Sequence, residues 1–327
     1  MNSLQKIDKQ LSLDLSMLTP EDYVENYLEF LPRYISKGHP TADTMTTYQK
    51  LIDQFIGWCR EHERNPLFMH DYQMRVYVEW LFSTGHSQSG VSSRVTAIRA
   101  FFDTAVRLGL LKENPCRHIR VGTPYVYDEQ FKYFQPDQIK EIYKTIQEDK
   151  FGLKRLRNEA IFLVMAVEGL RVVEVSRMDE EDIDWESSSI LIHGKGHNGV
   201  IYPSDTTMKK LYEWIRARPT KGKEGGRTPV FVSLSNRNSG ERIDRNGIRK
   251  TMDQILRKCG YKQKGISCHV FRHSCGTNLY AKTKDLRVVQ ETLRQRDPKV
   301  TARYAHVQQR MEKRYTSSLA EGLEDQD

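Results

Sequence analysis

Three side chains suited to acid–base and phosphate chemistry share one face of a predicted helix late in the chain. The stretch CHVFRHSCGTNLYAK has helical character and places His269, Arg272 and His273 at positions i, i+3 and i+4. Imidazoles beside a guanidinium suit an anionic substrate, because one group moves a proton while the other stabilises negative charge. Tyr304, in Ala-Arg-Tyr-Ala-His, is a plausible nucleophile where a base and cations lie close. A histidine-rich buried helix and a surface tyrosine would explain the same segments, so these residues alone do not decide the function.

The charge of the chain indicates the class of partner. The 327 residues carry a formal net charge of +8, and the pI is about 9.1, which favours a polyanionic partner. No apolar run approaches the length of a membrane span, and the N-terminal stretch lacks a signal-peptide core. We therefore expect no membrane association and a cytoplasmic, nucleoid-associated protein of a bacterium or archaeon.

The cysteines argue against both disulfides and a metal centre. Their number, five, is odd and they show no CxxC spacing, which indicates free thiols in a reducing compartment. Cys268, His269, His273 and Cys275 are residue types that bind zinc, but their spacing fits no common zinc pattern. We expect no metal site and no cofactor.

The first third of the chain has the apolar periodicity of a helical bundle. Helices are predicted to begin at Thr19, at Thr44 and near Ser92, and another to span Tyr72–Phe82. Basic residues on the faces away from the apolar stripes are usually just solvated, but they can also dock into the major groove of DNA. Our candidate DNA-binding residues on these faces are Lys50, Arg94 and Arg99.

A second domain mixes helices with short strands. Two predicted strands, Ile190–His193 and Val200–Tyr202, flank a glycine-rich hairpin with Lys195 at its tip, and Val230–Ser233 is predicted as a further strand. The predicted fold class is mainly α with a small antiparallel β-sheet: an N-terminal helical domain plus a mixed α+β domain that carries the candidate catalytic residues. The predicted boundaries are a lead-in at 1–18, a helical domain at 19–118, a linker at 119–133, the domain with the candidate catalytic residues at 134–306 and an amphipathic tail at 307–327.

Four motifs, in this order and spacing, resemble those of the tyrosine recombinases, the phage-integrase family. They are GLRVVEVSRMDEEDID (169–184), IHGKGHNGVIYP (192–203), HVFRHSCGT (269–277) and VQETLRQRDPKVTARYAHV (289–307). The helical domain is similar to the family's core-binding domain over residues 44–59 and 91–115. The resemblance extends over about residues 20–308 and favours the simple, two-domain type.

The resemblance implies a role for each motif residue. Tyr304 would attack a DNA phosphate and form a 3′-phosphotyrosine, while Arg171 and Arg272 stabilise the charge that builds on the phosphate oxygens. His269 matches the family's candidate base. Lys195 matches the general acid that protonates the leaving 5′ oxygen.

Two supporting residues and one departure complete the comparison of motifs. Glu174 matches the family's acidic position and is expected to orient its neighbours, and His273 supports the site. The family usually has Leu-Gly-His, with His or Trp nine residues before the tyrosine, where this chain has Leu-Arg-Gln at 293–295. Gln295 can donate a hydrogen bond to a phosphate oxygen but brings no charge. The alternative is that the neighbouring Arg294 or Arg296 has taken over this contact.

The resemblance also implies how the enzyme would assemble. It implies double-stranded DNA with inverted-repeat core sites and a homotetramer on two duplexes, joined by exchange of C-terminal segments. An accessory DNA-bending protein is compatible with this assembly. The tail at 307–327 suits the exchange, although a helix folded back on its own domain would have the same pattern.

Several functions are compatible with these motifs. The departure at Gln295 favours a mobile-element integrase or transposase. The alternatives are a Xer-like dimer resolvase, a type IB topoisomerase-like enzyme and a catalytically silent DNA-binding protein.

Overall fold

A computed structural model describes residues 18–122, 132–194, 198–295, 297–298 and 301–305. The chain forms two compact units, Met1–Tyr125 and Val126–Asp327. The fold class predicted from the sequence is confirmed: the molecule is mainly helical, with one small antiparallel sheet. Within the described ranges, no helix combines the length and apolarity needed to cross a membrane.

Side-chain caps and aromatic packing define the first unit. Thr19 caps the first helix in a reciprocal box with Asp22, and ring pairs such as Phe55 with Tyr77, at 5.2 Å between centroids, fill the core. The helices are α1 (Pro20–Phe30), α2 (Ala42–Glu61), α3 (Asp71–Ser83) and α4 (Gln88–Arg107).

The second unit is built around one helix whose C-terminal two thirds are buried. Its helices are α5 (Pro136–Gln147), α6 (Gly152–Ala166), α7 (Val172–Ser176), α8 (Asp205–Ala217), α9 (Arg245–Lys258), α10 (His269–Thr283) and α11 (Leu286–Thr292). The second half of α6 is buried on every side, so this helix forms the centre of the core. Residues 301–305 are also helical.

The sheet follows the hairpin that the sequence predicts. It contains β1 (Ile183–Asp184), β2 (Ser189–His193) and β3 (Asn198–Ile201) in the order β1-β2-β3, all antiparallel. Ile190 pairs with Ile201, and Ile190 and Ile192 point into the core while their neighbours are half-exposed.

The predicted strand at Val230–Ser233 is wrong. Val232 makes only an isolated bridge with Arg242. The apolar run is explained by burial instead, because Phe231 is 1% exposed and Trp214 donates its ring N–H to the Val230 carbonyl at 2.8 Å. A short buried apolar run has the same pattern whether or not it pairs with another strand.

Candidate active site

A glycine turn at the end of α6 places the first arginine. Gly169 has φ of +68°, and a Cβ there would lie 2.5 Å from Leu293 Cδ2; both the backbone conformation and the close approach therefore require glycine. The turn leads to Arg171, the N-cap residue of α7.

Arg171 is tied to the first turn of α7 through Glu174. Its backbone N–H donates to Glu174 Oε2 at 2.9 Å, and its guanidinium Nη1 donates to Oε1 at 2.8 Å. Burial would by itself raise the pKa of the Glu174 carboxyl, but these bonds and the nearby arginine charges hold the pKa below its ordinary value. Glu174 is therefore an ionised, buried anchor that orients Arg171.

Arg272, on the first turn of α10, is buried at the centre of the site. It is 2% exposed, and its two terminal nitrogens donate to the carbonyl oxygens of Gly169 and Leu293. Burial, assisted by the charge of Arg171, lowers the pKa of Arg272 to about 10, so the guanidinium stays charged at neutral pH. Because α10, the turn before α7 and the end of α11 all meet at this side chain, it holds three segments together.

Tyr304 lies in a small apolar cluster against α10. It is 1% exposed and packs beside Leu293. A Cβ on Gly276 would lie 2.8 Å from Tyr304 Cζ, so the ring lies directly on the glycine backbone. Burial raises the pKa of the Tyr304 phenol, and the hydrogen bond from Gln295 opposes that rise.

Polar contacts orient the Tyr304 hydroxyl. Gln295 Nε2 donates to it at 3.3 Å, and His273 Nδ1 lies 3.5 Å from it. The amide of Gln295 is itself fixed, because Thr301, which is buried, donates its hydroxyl to Gln295 Oε1 at 2.8 Å. Gln295 thus contacts the phenol in this structure, whereas the family comparison suggested a contact with phosphate.

The two histidines of α10 are held close together and both disfavour protonation. Their ring centroids are 4.6 Å apart in a T-shaped arrangement. The His269 side chain reaches the surface, yet desolvation by its neighbours and then the charges of Arg272 and Arg171 lower its pKa. Burial, and then His269, lower the pKa of His273 to about 3. Both rings are therefore neutral at pH 7, and each can accept a hydrogen bond through its unprotonated nitrogen.

The structure thus brings together seven of the predicted residues in the second unit: Arg171, Glu174, His269, Arg272, His273, Gln295 and Tyr304. Two other predictions lie outside the residues that the structure describes: Lys195, and the tail at 307–327.

The hairpin that carries Lys195 is anchored at its base by a hydrogen bond to a carboxylate that also pairs with an arginine. His193, the last residue of β2, contacts Asp182 at 2.9 Å, and Asp182 also pairs with Arg227. Asp179 joins the same network through Arg227, at 2.7 Å. These contacts fix the strand that leads to the lysine.

The three candidate DNA-binding residues lie in the first unit. Lys50 is exposed on α2. Arg94 donates to Gln54 Oε1 at 2.8 Å, and Arg99 donates to the Ile119 carbonyl at 2.9 Å. Both arginines thus link parts of the bundle, and DNA contact by any of the three stays a prediction.

Sequence reasoning assigned no role to Glu168 or Gly276, and considered Arg294 only as a substitute for Gln295. Glu168 accepts hydrogen bonds from the Ser204 and Thr207 hydroxyls at 3.0 and 2.6 Å, which ties the turn before Arg171 to the start of α8. Arg294 pairs with Glu174 at 3.0 Å. The departure from Leu-Gly-His could have drawn attention to Arg294. Nothing in the sequence indicates that Tyr304 packs on Gly276.

Among the residues that the structure describes, no group of three or more His, Cys, Asp or Glu side chains is arranged to hold a metal ion. Among the described residues of the site, the positive charge comes from Arg171, Arg272 and Arg294.

Comparison with known proteins agrees with the geometry. Residues 132–311 match the model of the phage integrase family. The chain is 27% identical over 297 residues to the tyrosine recombinase XerC of Bacillus pumilus, covering 89% of this chain and 93% of that protein. It is 29% identical over 290 residues to XerC of Lactobacillus leichmannii, covering 87% and 92%.

Solved structures share the fold. One is the XerH recombinase bound to palindromic difH substrate, with a TM-score of 0.70 and 16% identity, covering 97% of this chain and 89% of that one. Another is the Tn1549 transposon integrase bound to circular-intermediate DNA, with a TM-score of 0.66 and 15% identity, covering 85% and 94%. The chain belongs to the phage integrase family and is a tyrosine recombinase, an enzyme of site-specific DNA cleavage and rejoining.

Proposed function

We propose that Tyr304 is the nucleophile and that cleavage passes through a 3′-phosphotyrosine. The Tyr304 oxygen forms a bond to phosphorus, the bond from phosphorus to the 5′ oxygen breaks, and the DNA leaves with a 5′-hydroxyl. The observation that carries this proposal is the position of the Tyr304 hydroxyl, 3.5 Å from His273 Nδ1 and within the electrostatic influence of Arg272.

Arg171 and Arg272 supply the positive charge that the transition state needs. Attack adds negative charge to the non-bridging oxygens of the phosphate, and guanidinium groups donate paired hydrogen bonds to such oxygens. Arg171 is half-exposed and already oriented by Glu174. We therefore propose that Arg171 contacts the phosphate directly, while Arg272 also keeps the surrounding backbone in place.

Proton transfers at the two oxygens complete the step. The Tyr304 phenol must lose its proton, and we assign its acceptance to His269, whose lowered pKa keeps the ring unprotonated at pH 7. His273, neutral as well, is placed to hold the hydroxyl. We assign protonation of the leaving 5′ oxygen to Lys195, on the hairpin between β2 and β3.

Loss of the phenol oxygen tests the nucleophile. A DNA site would first be selected from a randomised duplex pool by binding to the wild-type protein, then prepared as a nicked suicide substrate. Tyr304→Phe should bind this duplex with near-normal affinity and form no covalent adduct on a denaturing gel, in which wild-type protein forms one. An adduct in the variant would assign the chemistry to another residue.

A chelator separates this mechanism from that of a metal nuclease. Wild-type cleavage should persist in excess EDTA, because two arginines replace the charge of a metal. Loss of cleavage that magnesium restores would contradict the assignment.

We propose a mobile-element integrase or transposase as the biological role, and the departure from Leu-Gly-His at 293–295 supports it. The full-length similarity to proteins named XerC favours a second candidate, a Xer-like dimer resolvase. Mapping the selected site on the host genome separates them: paired copies at the two ends of an element support the first role, and a single chromosomal or plasmid site supports the second.

The assembly is proposed from the family as well. DNA is the partner, and we propose four protomers on two duplexes with inverted-repeat sites, joined by residues 307–327. Truncation after residue 306 should leave DNA binding by one protomer intact and abolish the four-protomer complex in analytical ultracentrifugation.

A further inference from the structure

Arg294 adopts a backbone conformation that an arginine rarely takes. Its φ is +49°, in the left-handed region where a Cβ is disfavoured and glycine is the usual residue. The family motif has glycine at this place, in Leu-Gly-His. An arginine in such a conformation persists where its surroundings compensate for the strain.

The compensation lies in the contacts of the side chain. Its Nη2 donates to Glu174 Oε2 at 3.0 Å, and its Nη1 donates to the Thr292 carbonyl at 3.1 Å. The side chain is only 12% exposed. Because Arg171 occupies the other carboxylate oxygen, Glu174 is clamped between two guanidinium groups, one on each side.

Room for this side chain comes from the neighbouring hairpin. A Cβ on Gly199, in β3, would lie 3.0 Å from Arg294 Cδ and 3.8 Å from Cγ. The alkyl part of Arg294 therefore lies along the backbone of β3, which contributes to the low exposure of the side chain.

We propose that Arg294 is a positioning residue that acts on the scissile phosphate through Glu174 and Arg171. By holding Glu174 Oε2, it fixes the carboxylate that presents the Arg171 guanidinium. Gln295 stands where the family has His or Trp, and Arg294, one residue earlier, places a cation on Glu174. This inference rests on the proposed phosphotyrosine chemistry.

The test compares glycine and lysine at this position on the selected suicide duplex. Arg294→Gly relieves the backbone strain and removes the guanidinium, so it should unfold at the same temperature or higher, bind the duplex normally, and cleave roughly 10- to 100-fold more slowly in a single turnover. Arg294→Lys should recover part of the rate by restoring a positive charge near Glu174. Lys284→Gly is a matched control, since Lys284 also has positive φ, +55°, but lies at the far end of α10; it should cleave at the wild-type rate.

Two further measurements locate the effect. On a duplex with sulfur at the 5′ bridging position, which needs no proton on departure, the Arg294→Gly defect should persist because it concerns the phosphate. In a Glu174→Gln background, Arg294→Gly should add little further loss, because both changes break the same path.

Each outcome has a definite reading. Wild-type rates in Arg294→Gly, rescue of that variant by sulfur, or full additivity with Glu174→Gln would overturn the inference while wild-type adduct formation still supports the proposed function. Absence of an adduct in the wild-type protein itself would overturn the proposed function, and the inference with it.

Discussion

A single methyl group at Gly276 should move the nucleophile. Gly276→Ala adds a Cβ on α10 that would lie 2.8 Å from Tyr304 Cζ, 2.9 Å from Cε1 and 2.8 Å from Leu293 Cδ1. Carbon atoms in contact are separated by roughly 3.5–4.0 Å. The ring must therefore shift by about 0.7 Å or more, unless α10 moves instead.

Displacement on this scale has a large kinetic effect and a small effect on stability. A misplacement of about 1 Å can slow an aligned reaction on the order of 10²-fold, so we expect single-turnover cleavage to fall by roughly that factor. Alanine is favoured over glycine inside a helix by about 1 kcal/mol, which partly offsets an overpacking cost of about 1–3 kcal/mol. The variant should therefore fold, melt within a few degrees of wild type and bind DNA.

Gly57→Ala is the matched control, because it makes the same change inside helix α2, where a Cβ would meet nothing within 4 Å. It should raise stability slightly and leave cleavage unchanged. Cleavage by Gly276→Ala at the wild-type rate, with an unaltered melting temperature, would refute the reasoning: the reactive tyrosine would then not be the one that lies on Gly276.

Three other predictions concern single side chains of the site. Lys195→Ala should lose on the order of 10²–10⁴ in cleavage rate on ordinary DNA and recover most of it on a 5′-bridging sulfur duplex; equal defects on both substrates would limit the lysine to binding. Gln295→Ala removes one neutral hydrogen bond to the Tyr304 hydroxyl and should slow cleavage roughly two- to tenfold, whereas Gln295→His should retain activity; a silent Gln295→Ala would show that the amide does not orient the phenol. Burial lowers the pKa of His273 from its ordinary 6.5 to about 3 in the folded protein. Between these two pH values only the unfolded chain takes up the proton, so the stability present above pH 6.5 is lost progressively as the pH falls towards 3. His273→Gln should reduce the pH dependence of the unfolding free energy in that window by at most about 1.4 kcal/mol per pH unit, and an unchanged slope in denaturant titrations would contradict the depressed pKa.

Helical periodicity predicted most of the fold because burial repeats along a helix. In α2, for example, the apolar residues Ile52, Phe55 and Trp58 recur at helical spacing, and all three are buried. Periodicity predicted strands less well. The strand β1 has two residues, too few to show any period, and the buried run at Val230–Ser233 pairs only through an isolated bridge between Val232 and Arg242.

Residue types and order identified the site, but not the contacts that hold it together. The reciprocal bonds between Arg171 and Glu174 follow from their spacing at the start of a helix. The support of Glu174 by Arg294 does not, because it joins residues 120 positions apart and depends on a left-handed backbone. The outward face of α4 was expected either to be solvated or to dock into DNA. The structure shows that Arg94 on this face also bonds to Gln54 on α2, because side-chain length lets an arginine reach back from outside the apolar stripe.

The two bonds from Arg272 to the carbonyls of Gly169 and Leu293 have a consequence for the divergence of the family. A descendant that abandoned strand cleavage but kept its DNA site could lose the Tyr304 hydroxyl at little structural cost, since phenylalanine has nearly the same shape. Loss of Arg272 would instead leave two buried carbonyl oxygens without their donor and loosen three segments at once. Selection for folding alone would therefore preserve this arginine in inactive lineages. In a relative of unknown activity, the presence of the tyrosine therefore indicates whether strand cleavage is retained, whereas the presence of the arginine does not.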